Sequence, residues 1–287
     1  MSFSLRGKHC VITGATGAIG SRIAIAFAQR GSVVTLLSRS APDARLSLEH
    51  QLAPYKPEQD RKDMGDEFPE AHRFMRLDAT KTSTFKGFFG SSVGPVDVLV
   101  NCAGVSQTSF IKRTSDEDIQ NILNTNLQSA ILASKYAKMN PHGCIINVSS
   151  LMANKNGAGA SVYAASKAGL VAFTRALATE YSPRSIRVNA LLPGWIASPM
   201  WDREFILPFA LPKTRFRRLS PMWEESNVNV QPPVLDLKPD IQQQYLKDCP
   251  LRRVGQPEEV ADAAVFLATN RFANNCVLNL DGGLSAV

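Results

Sequence analysis

An α/β fold built on one doubly wound parallel sheet is what this 287-residue chain predicts, and three observations predict it. Short apolar runs alternate with longer helical stretches from one end of the chain to the other. Three glycines, Gly14, Gly17 and Gly20, follow the first apolar run and open the first long helix. Tyr163 and Lys167 stand four apart in an unbroken helical run that comes soon after another apolar run. No internal repeat of about 20–50 residues is visible. A single domain over 1–287 is therefore expected, with 201–248 as an insertion.

Composition sets the frame for the individual elements. With 44% apolar and 20% charged residues, the chain can bury a large core and extended disorder is not expected. It contains no run of about 18 apolar residues, which excludes a membrane-spanning helix. A strand already begins at residue 8, leaving too little room for a signal peptide before it. The five cysteines, Cys10, Cys102, Cys144, Cys249 and Cys276, are odd in number and include no Cys-x-x-Cys pair. They fit a reducing, intracellular setting, cytoplasmic or mitochondrial matrix, better than a disulfide framework. The formal charge of +7 comes from scattered rather than striped Lys and Arg. Scattered charge argues against nucleic acid, and an acidic cofactor or partner is enough to account for it.

Residues 8–13 read as the first strand, followed by Gly14-Ala-Thr-Gly17-Ala-Ile-Gly20 and a helix to about Arg30. Glycines placed there let the backbone approach a pyrophosphate, which the unsatisfied amides and positive end of the helix attract. Residues 32–37 form the second strand, ending in Ser38-Arg39. A carboxylate at this strand end would bond a ribose 2′-hydroxyl, whereas Arg39 offers a charge-assisted partner for a 2′-phosphate. The expected cofactor is therefore NADP(H). Residues 40–71 carry little pattern beyond a helix around 43–52, and 72–77 read as a strand leading into Asp78. Residues 96–100 form a buried strand that ends in Asn101-Cys-Ala-Gly104. A capped helix begins at 114–117 and runs to about Lys138, with Asn126 in its middle. Asparagine is a poor helix former, so a local reason is expected for it, although a surface position would also explain it.

Residues 144–148 form another buried strand, which delivers Ser149-Ser150 at its carboxyl end, where open parallel sheets bind ligands. A hydroxyl there can hydrogen-bond a substrate carbonyl. In the helix 160–180, Tyr163 and Lys167 share one face. A neighbouring ammonium favours the phenolate, and a downward shift of about 3 units would correspond to roughly 4 kcal/mol. That makes Tyr163 a usable proton donor. Residues 186–191 form a sixth strand, 250–260 lead into the last helix, and 277–283 form the final strand. The segment between Met200 and Pro250, rich in proline and carrying a basic cluster at 213–218, reads as an enlarged substrate lid.

Asn147-Val-Ser-Ser150, Ser161-Val-Tyr163-Ala-Ala-Ser-Lys167, Ser185-Ile-Arg-Val-Asn189 and Pro193-Gly194 resemble the active-site segment of the short-chain dehydrogenase/reductases. Within that family the 3-oxoacyl-[acyl-carrier-protein] reductases and carbonyl reductases are most similar. The turn from Thr13 to Gly20 resembles the family's glycine fingerprint, Gly-x-x-x-Gly-x-Gly. The resemblance covers nearly all of the chain except 40–71 and 201–245. It implies a Rossmann-like domain that reduces a ketone to a secondary alcohol, as in fatty acid synthesis, and needs no metal. Ser150 would hold the carbonyl oxygen, Tyr163 would protonate it, Lys167 would tune the tyrosine and grip the nicotinamide ribose, and Asn126 would hold a proton-relay water.

By the same resemblance, Gly14, Thr16, Gly17, Ile19 and Gly20 would meet the pyrophosphate side of the cofactor, and Ser38 and Arg39 the 2′-phosphate. Asp78 would meet the adenine, although it serves equally as a helix cap. Asn101, Ala103 and Gly104 would lie against the cofactor, with Cys102 standing where the family has a second asparagine. Pro193, Gly194, Ile196 and Ser198 would face the nicotinamide. A homo-oligomer, dimer or tetramer, is implied. So is docking of an acyl-carrier protein through Arg184, with Lys138 near the second docking position. The rival reading within the enzyme class is a carbonyl, polyketide or quinone reductase acting on a different ketone, and outside it a non-catalytic NADPH-binding protein on the same fold.

Overall fold

The computed structural model describes residues 4–57, 68–107, 109–155, 157, 159–198, 243–244 and 246–286. Nearly all of the expected lid at 201–248, with its basic cluster at 213–218, lies outside the described residues. Among those described, seven strands form one wholly parallel sheet. They are β1 (His9–Thr13), β2 (Val33–Ser38), β3 (Arg73–Arg76), β4 (Pro95–Asn101), β5 (Lys138–Val148), β6 (Arg187–Pro193) and β7 (Val277–Leu280). Their order is β3-β2-β1-β4-β5-β6-β7. The chain reverses its direction of travel across the sheet between β1 and β4, and a ligand crevice opens at such a switch point.

The central strands are apolar on both faces, as a sheet covered on both sides requires. Cys10 and Ile12 of β1, Val98 and Val100 of β4, and Cys144 and Ile146 of β5 point to one side. Val11, Leu99 and Ile145 alternate to the other. The first side is covered by α1 (Ala18–Ala28) and, at the far end of the chain, by α7 (Pro257–Thr269), through Ile23, Phe27, Val260 and Ala264. Between them in the chain, the described residues include α2 (Arg45–Leu48), α3 (Phe85–Gly87), α4 (Asp116–Leu123), α5 (Ser129–Tyr136) and α6 (Ser161–Tyr181). The second side is filled by Phe85, Phe89, Ala133, Leu177 and Ala178 from this group and its neighbours. Each large side chain buried in this way contributes about 1.5–3 kcal/mol relative to exposure.

Two stretches differ from expectation. The helix expected over 43–52 is reduced to the single turn of α2 and a 3-10 turn at Glu49–Gln51. Neither fully buries a residue, and the partial packing of Leu48 on the core is too little to extend them. The helix expected from 114 to about Lys138 starts as anticipated, with Ser115 Oγ accepting from the Asp118 amide and acidic residues in the first turn. It then widens into a π turn at Asn124–Gln128 and continues as α5. It ends early because Lys138 and Met139 already pair with Pro95 and Val96 as the start of β5. No helix among the described residues is long and apolar enough to cross a membrane.

Candidate active site

Strand register builds the site floor. Thr13 lies opposite Asn101, Asn101 opposite Asn147, and Val148 opposite Leu191, so four strands end level with one another. The residues just beyond these strand ends form one rim: Gly14, Cys102-Ala-Gly104, Ser149-Ser150 and Gly194. Thr13 Oγ1 ties two of these segments together by accepting from the amides of Cys102 (3.1 Å) and Ala103 (3.2 Å). Gly14 has φ +66°, and a Cβ there would fall 2.8 Å from the Ala103 backbone. Only glycine fits where the two loops meet.

The N-terminus of α1 opens onto this rim. Its N-cap, Gly17, makes no side-chain bond, and the first turn holds no acidic residue. The first amides of the helix are therefore unclaimed by side chains, which suits a phosphate. The glycine spacing itself corrects the expected match. The three glycines are evenly spaced, so the family fingerprint is met at Gly14 and Gly20, and Ala18 stands at its middle place. Gly17 sits in extended backbone (φ −73°) that any residue adopts. Ile19, the second residue of α1, packs against the core.

Thr16 Oγ1 donates to Ser38 Oγ (3.0 Å) and lies 3.1 Å from Ser40 Oγ. Three hydroxyls thus cluster beside the exposed Arg39, and Ser40 is a member the sequence reading missed. Asp78 Oδ1 accepts from the amide and hydroxyl of Thr80 at 3.0 and 2.8 Å. Burial pushes this carboxyl up, but the two Thr80 bonds, with Arg39 and Lys81 nearby, outweigh that and leave it below its ordinary value. Asn101 turns its side chain down into the sheet, where Nδ2 donates to Asn147 Oδ1 (2.8 Å) and Ser134 Oγ (3.1 Å). Its side chain supports the floor, and only its backbone is left at the rim. At the opposite lip, the segment Pro193 to Ser198 is pinned by a parallel bridge between Ile196 and Gly255.

The chemistry-bearing groups converge on α6, whose buried face carries Val162, Ser166, Lys167, Leu170 and Thr174 at helical spacing. Lys167 is 4% exposed. Its Nζ lies 5.9 Å from the Tyr163 ring centroid and donates to the Val148 carbonyl at 2.9 Å. Burial lowers the Lys167 ammonium from 10.5 to about 8, with Cys102 acting weakly in the other direction. Burial likewise pushes the Cys102 thiol up to about 11, so it stays protonated at neutral pH. A Cβ at Gly104 would lie 3.3 Å from Lys167 Nζ and 3.5 Å from Asn126 Oδ1, which puts all three residues at one point of the rim. The buried Ser150 Oγ, just beyond β5, accepts from the Met152 amide at 3.2 Å.

Asn126 supplies the local reason expected for a mid-helix asparagine: it lies within the π turn and is 1% exposed. Its Oδ1 accepts from the Val105 amide (2.8 Å), while Nδ2 donates to the Val105 carbonyl (2.9 Å) and to Ser166 Oγ (3.0 Å). Ser166 Oγ in turn donates to the Tyr163 carbonyl at 2.6 Å. Gln107, unmarked in the sequence, accepts the amides of Val162 and Tyr163. Arg184 is a correction. It follows the far end of the 21-residue α6, about 30 Å along the axis from its start, and donates to the Met139 carbonyl at the opposite end of the sheet. It does not rim this chain's own site. Among the described residues no group of three or more His, Cys, Asp or Glu could hold a metal ion.

Known proteins bear on this arrangement. A family profile described as short chain dehydrogenase matches residues 8–205. Carbonyl reductase family member 4 of Xenopus laevis is 30% identical over 284 residues, covering 96% of this chain and 98% of the relative. The 3-oxoacyl-[acyl-carrier-protein] reductase of Mus musculus is also 30% identical, with the same coverage. That of Thermotoga maritima is 31% identical over 98% of each chain. A short-chain dehydrogenase/reductase structure from Serratia marcescens superposes with a TM-score of 0.74 at 24% identity, covering 98% of this chain and 99% of its own. A chain from Agrobacterium tumefaciens solved with bound NADP gives 0.72 at 24% identity, over 99% of each. With its profile match, its relatives and its seven-stranded parallel sheet, this chain belongs to the short-chain dehydrogenase family and is an oxidoreductase by family.

Proposed function

We propose that the chain is an NADPH-dependent ketone reductase, and specifically a 3-oxoacyl-[acyl-carrier-protein] reductase of fatty acid synthesis. The observation that carries the reading is the bonded frame that holds Lys167 beside Gly104, and Tyr163 next to Lys167, at the carboxyl end of the sheet. The residues present fit the cofactor. The α1 amides suit its pyrophosphate, and the Thr16, Ser38 and Ser40 hydroxyls with Arg39 suit a 2′-phosphate. Bound NADPH supplies hydride to the carbonyl carbon. Ser150 Oγ donates to the carbonyl oxygen, and the Tyr163 phenol gives its proton to that oxygen as negative charge develops there. Lys167, still charged below about pH 8, stabilises the phenolate left behind. Asn126 has spent both side-chain donors on Val105 and Ser166, so a relay water would take the remaining lone pair of Oδ1.

The lid reading of 201–248 is supported by its anchors: the Ile196–Gly255 bridge brings the two flanks together at the rim. A packed apolar cluster, in which the buried Leu151, Cys249 and Leu284 meet the partly buried Trp195, Leu246 and Val254, begins one residue past Ser150 and supports an apolar, acyl substrate. Phe266 and Phe272, on and just past α7, are exposed, which supports a homo-oligomer, dimer or tetramer. The second reading is a carbonyl, polyketide or quinone reductase. It is favoured by the position of Arg184, which lies away from this chain's own mouth. A panel of acetoacetyl thioesters, quinones and small ketones, assayed by NADPH oxidation, tests both. Preference for the thioester by kcat/KM supports the first reading, preference for quinones or small ketones the second, and no turnover of any refutes the enzyme.

A further inference from the structure

The active-site helix α6 begins without a cap of its own. Ala160, at its N-cap, makes no side-chain hydrogen bond. The amides that a cap residue normally serves belong to the second and third helical residues, here Val162 and Tyr163. Both donate to a single atom, Gln107 Oε1, at 2.8 and 3.2 Å, from a loop 55 residues earlier. On its other side, Gln107 Nε2 donates to the Ser109 carbonyl (2.8 Å) and to Thr114 Oγ1 (3.2 Å). A glutamine amide has two acceptor and two donor places, and all four are used by a side chain that is only 6% exposed. Turning the amide over would set its NH2 group against two N–H donors, so its orientation is fixed.

The same loop reaches Tyr163 by a second route. Val105 is bonded to Asn126 through both its amide and its carbonyl, Asn126 to Ser166, and Ser166 Oγ to the Tyr163 carbonyl. Tyr163 is thus held at its own amide and at its own carbonyl, and both lines lead back to Val105 and Gln107. It cannot slide or rotate without breaking buried bonds.

We infer that Gln107 is a positioning residue for the reaction, setting where the Tyr163 phenol stands over the substrate carbonyl. The inference rests on the reading of Tyr163 as proton donor. Gln107→Met keeps the length and bulk and removes all four bonds. Gln107→Glu keeps the acceptor for the two amides, and its second carboxyl oxygen needs a proton to go on donating to the Ser109 carbonyl. A displacement of about 1 Å can cost about 100-fold in rate, so kcat of the Met variant should fall about 10- to 100-fold, with NADPH affinity unchanged. Its solvent deuterium isotope effect on kcat should rise, because proton delivery becomes slower. The Glu variant should recover most of the parental kcat.

All rates are compared at a temperature where circular dichroism shows each variant folded. A folded Met variant with parental kcat, or one slowed with an unchanged isotope effect, would overturn the inference. Tyr163→Phe, run alongside, separates the two layers. A Phe variant as fast as the parent removes the tyrosine's role and the inference with it. A slow Phe variant beside a fast Met variant overturns the role of Gln107 alone.

Discussion

Replacing Lys167 with methionine separates what the buried charge costs the fold from what it does in the site. A lysine that titrates at about 8 in the folded chain and at its ordinary 10.5 when unfolded makes folding about 3 kcal/mol less favourable while it is charged. Below pH 8 the lysine is protonated in both states and the whole penalty stands. Between about 8 and 10.5 the unfolded chain binds more protons than the folded one, so stability rises with pH, and above 10.5 the penalty is gone. Methionine at 167 has no such dependence. It also leaves the Val148 carbonyl without its donor, at a cost of about 1–3 kcal/mol, but that offset is the same at every pH. The assay is urea unfolding of cofactor-free protein from about pH 7 to about pH 10. It is run in a Tyr163→Phe background so that the phenol's own titration does not contribute. Over that range the lysine chain should gain about 2–3 kcal/mol on the methionine chain. Parallel stability curves would refute the claim that Lys167 is held charged in a desolvated place.

Two further outcomes are expected. Tyr163→Phe should lower kcat by roughly two to four orders of magnitude, the usual scale for a lost general acid, with NADPH still bound; a near-parental rate would remove the tyrosine from the mechanism. Arg39→Asp should shift preference from NADPH towards NADH, chiefly through affinity; an unchanged NADPH dissociation constant in a fluorescence titration would show that Arg39 takes no part.

Much of the site was legible in the sequence because its signals are local. The strand ends at Thr13, Asn101 and Val148 follow from apolar runs that stop abruptly, and the Tyr163–Lys167 pair needs only a helix to bring it together. Asn126 signalled a local reason by being a poor helix former, but not what that reason was. The π turn depends on partners at Val105 and Ser166, far away in the chain. Gln107 gave no signal at all, because an N-cap is sought next to a helix and this one comes from another loop. Arg184 came from the resemblance alone, and an aligned position carries no distance: the whole length of α6 separates it from Tyr163. Asn101, read at the rim, turned inward because Asn147 and Ser134 offer it buried partners.

The wide turn at Asn124–Gln128 holds one residue more than an α turn of the same sweep, because its bonds run i→i+5 instead of i→i+4. The extra residue is absorbed locally, so α5 keeps nearly the phase of an unbroken helix, and Ala130 and Ala133 stay in the interior they fill. Deleting one residue from the turn would close it to an α turn and leave α5 facing the sheet, with the bonds of Ser134 to Asn101 and Tyr181 kept. What the deletion would remove is the widening that carries Asn126 to Val105 and Ser166. The same deletion inside α4 would instead turn everything beyond it by about 100°.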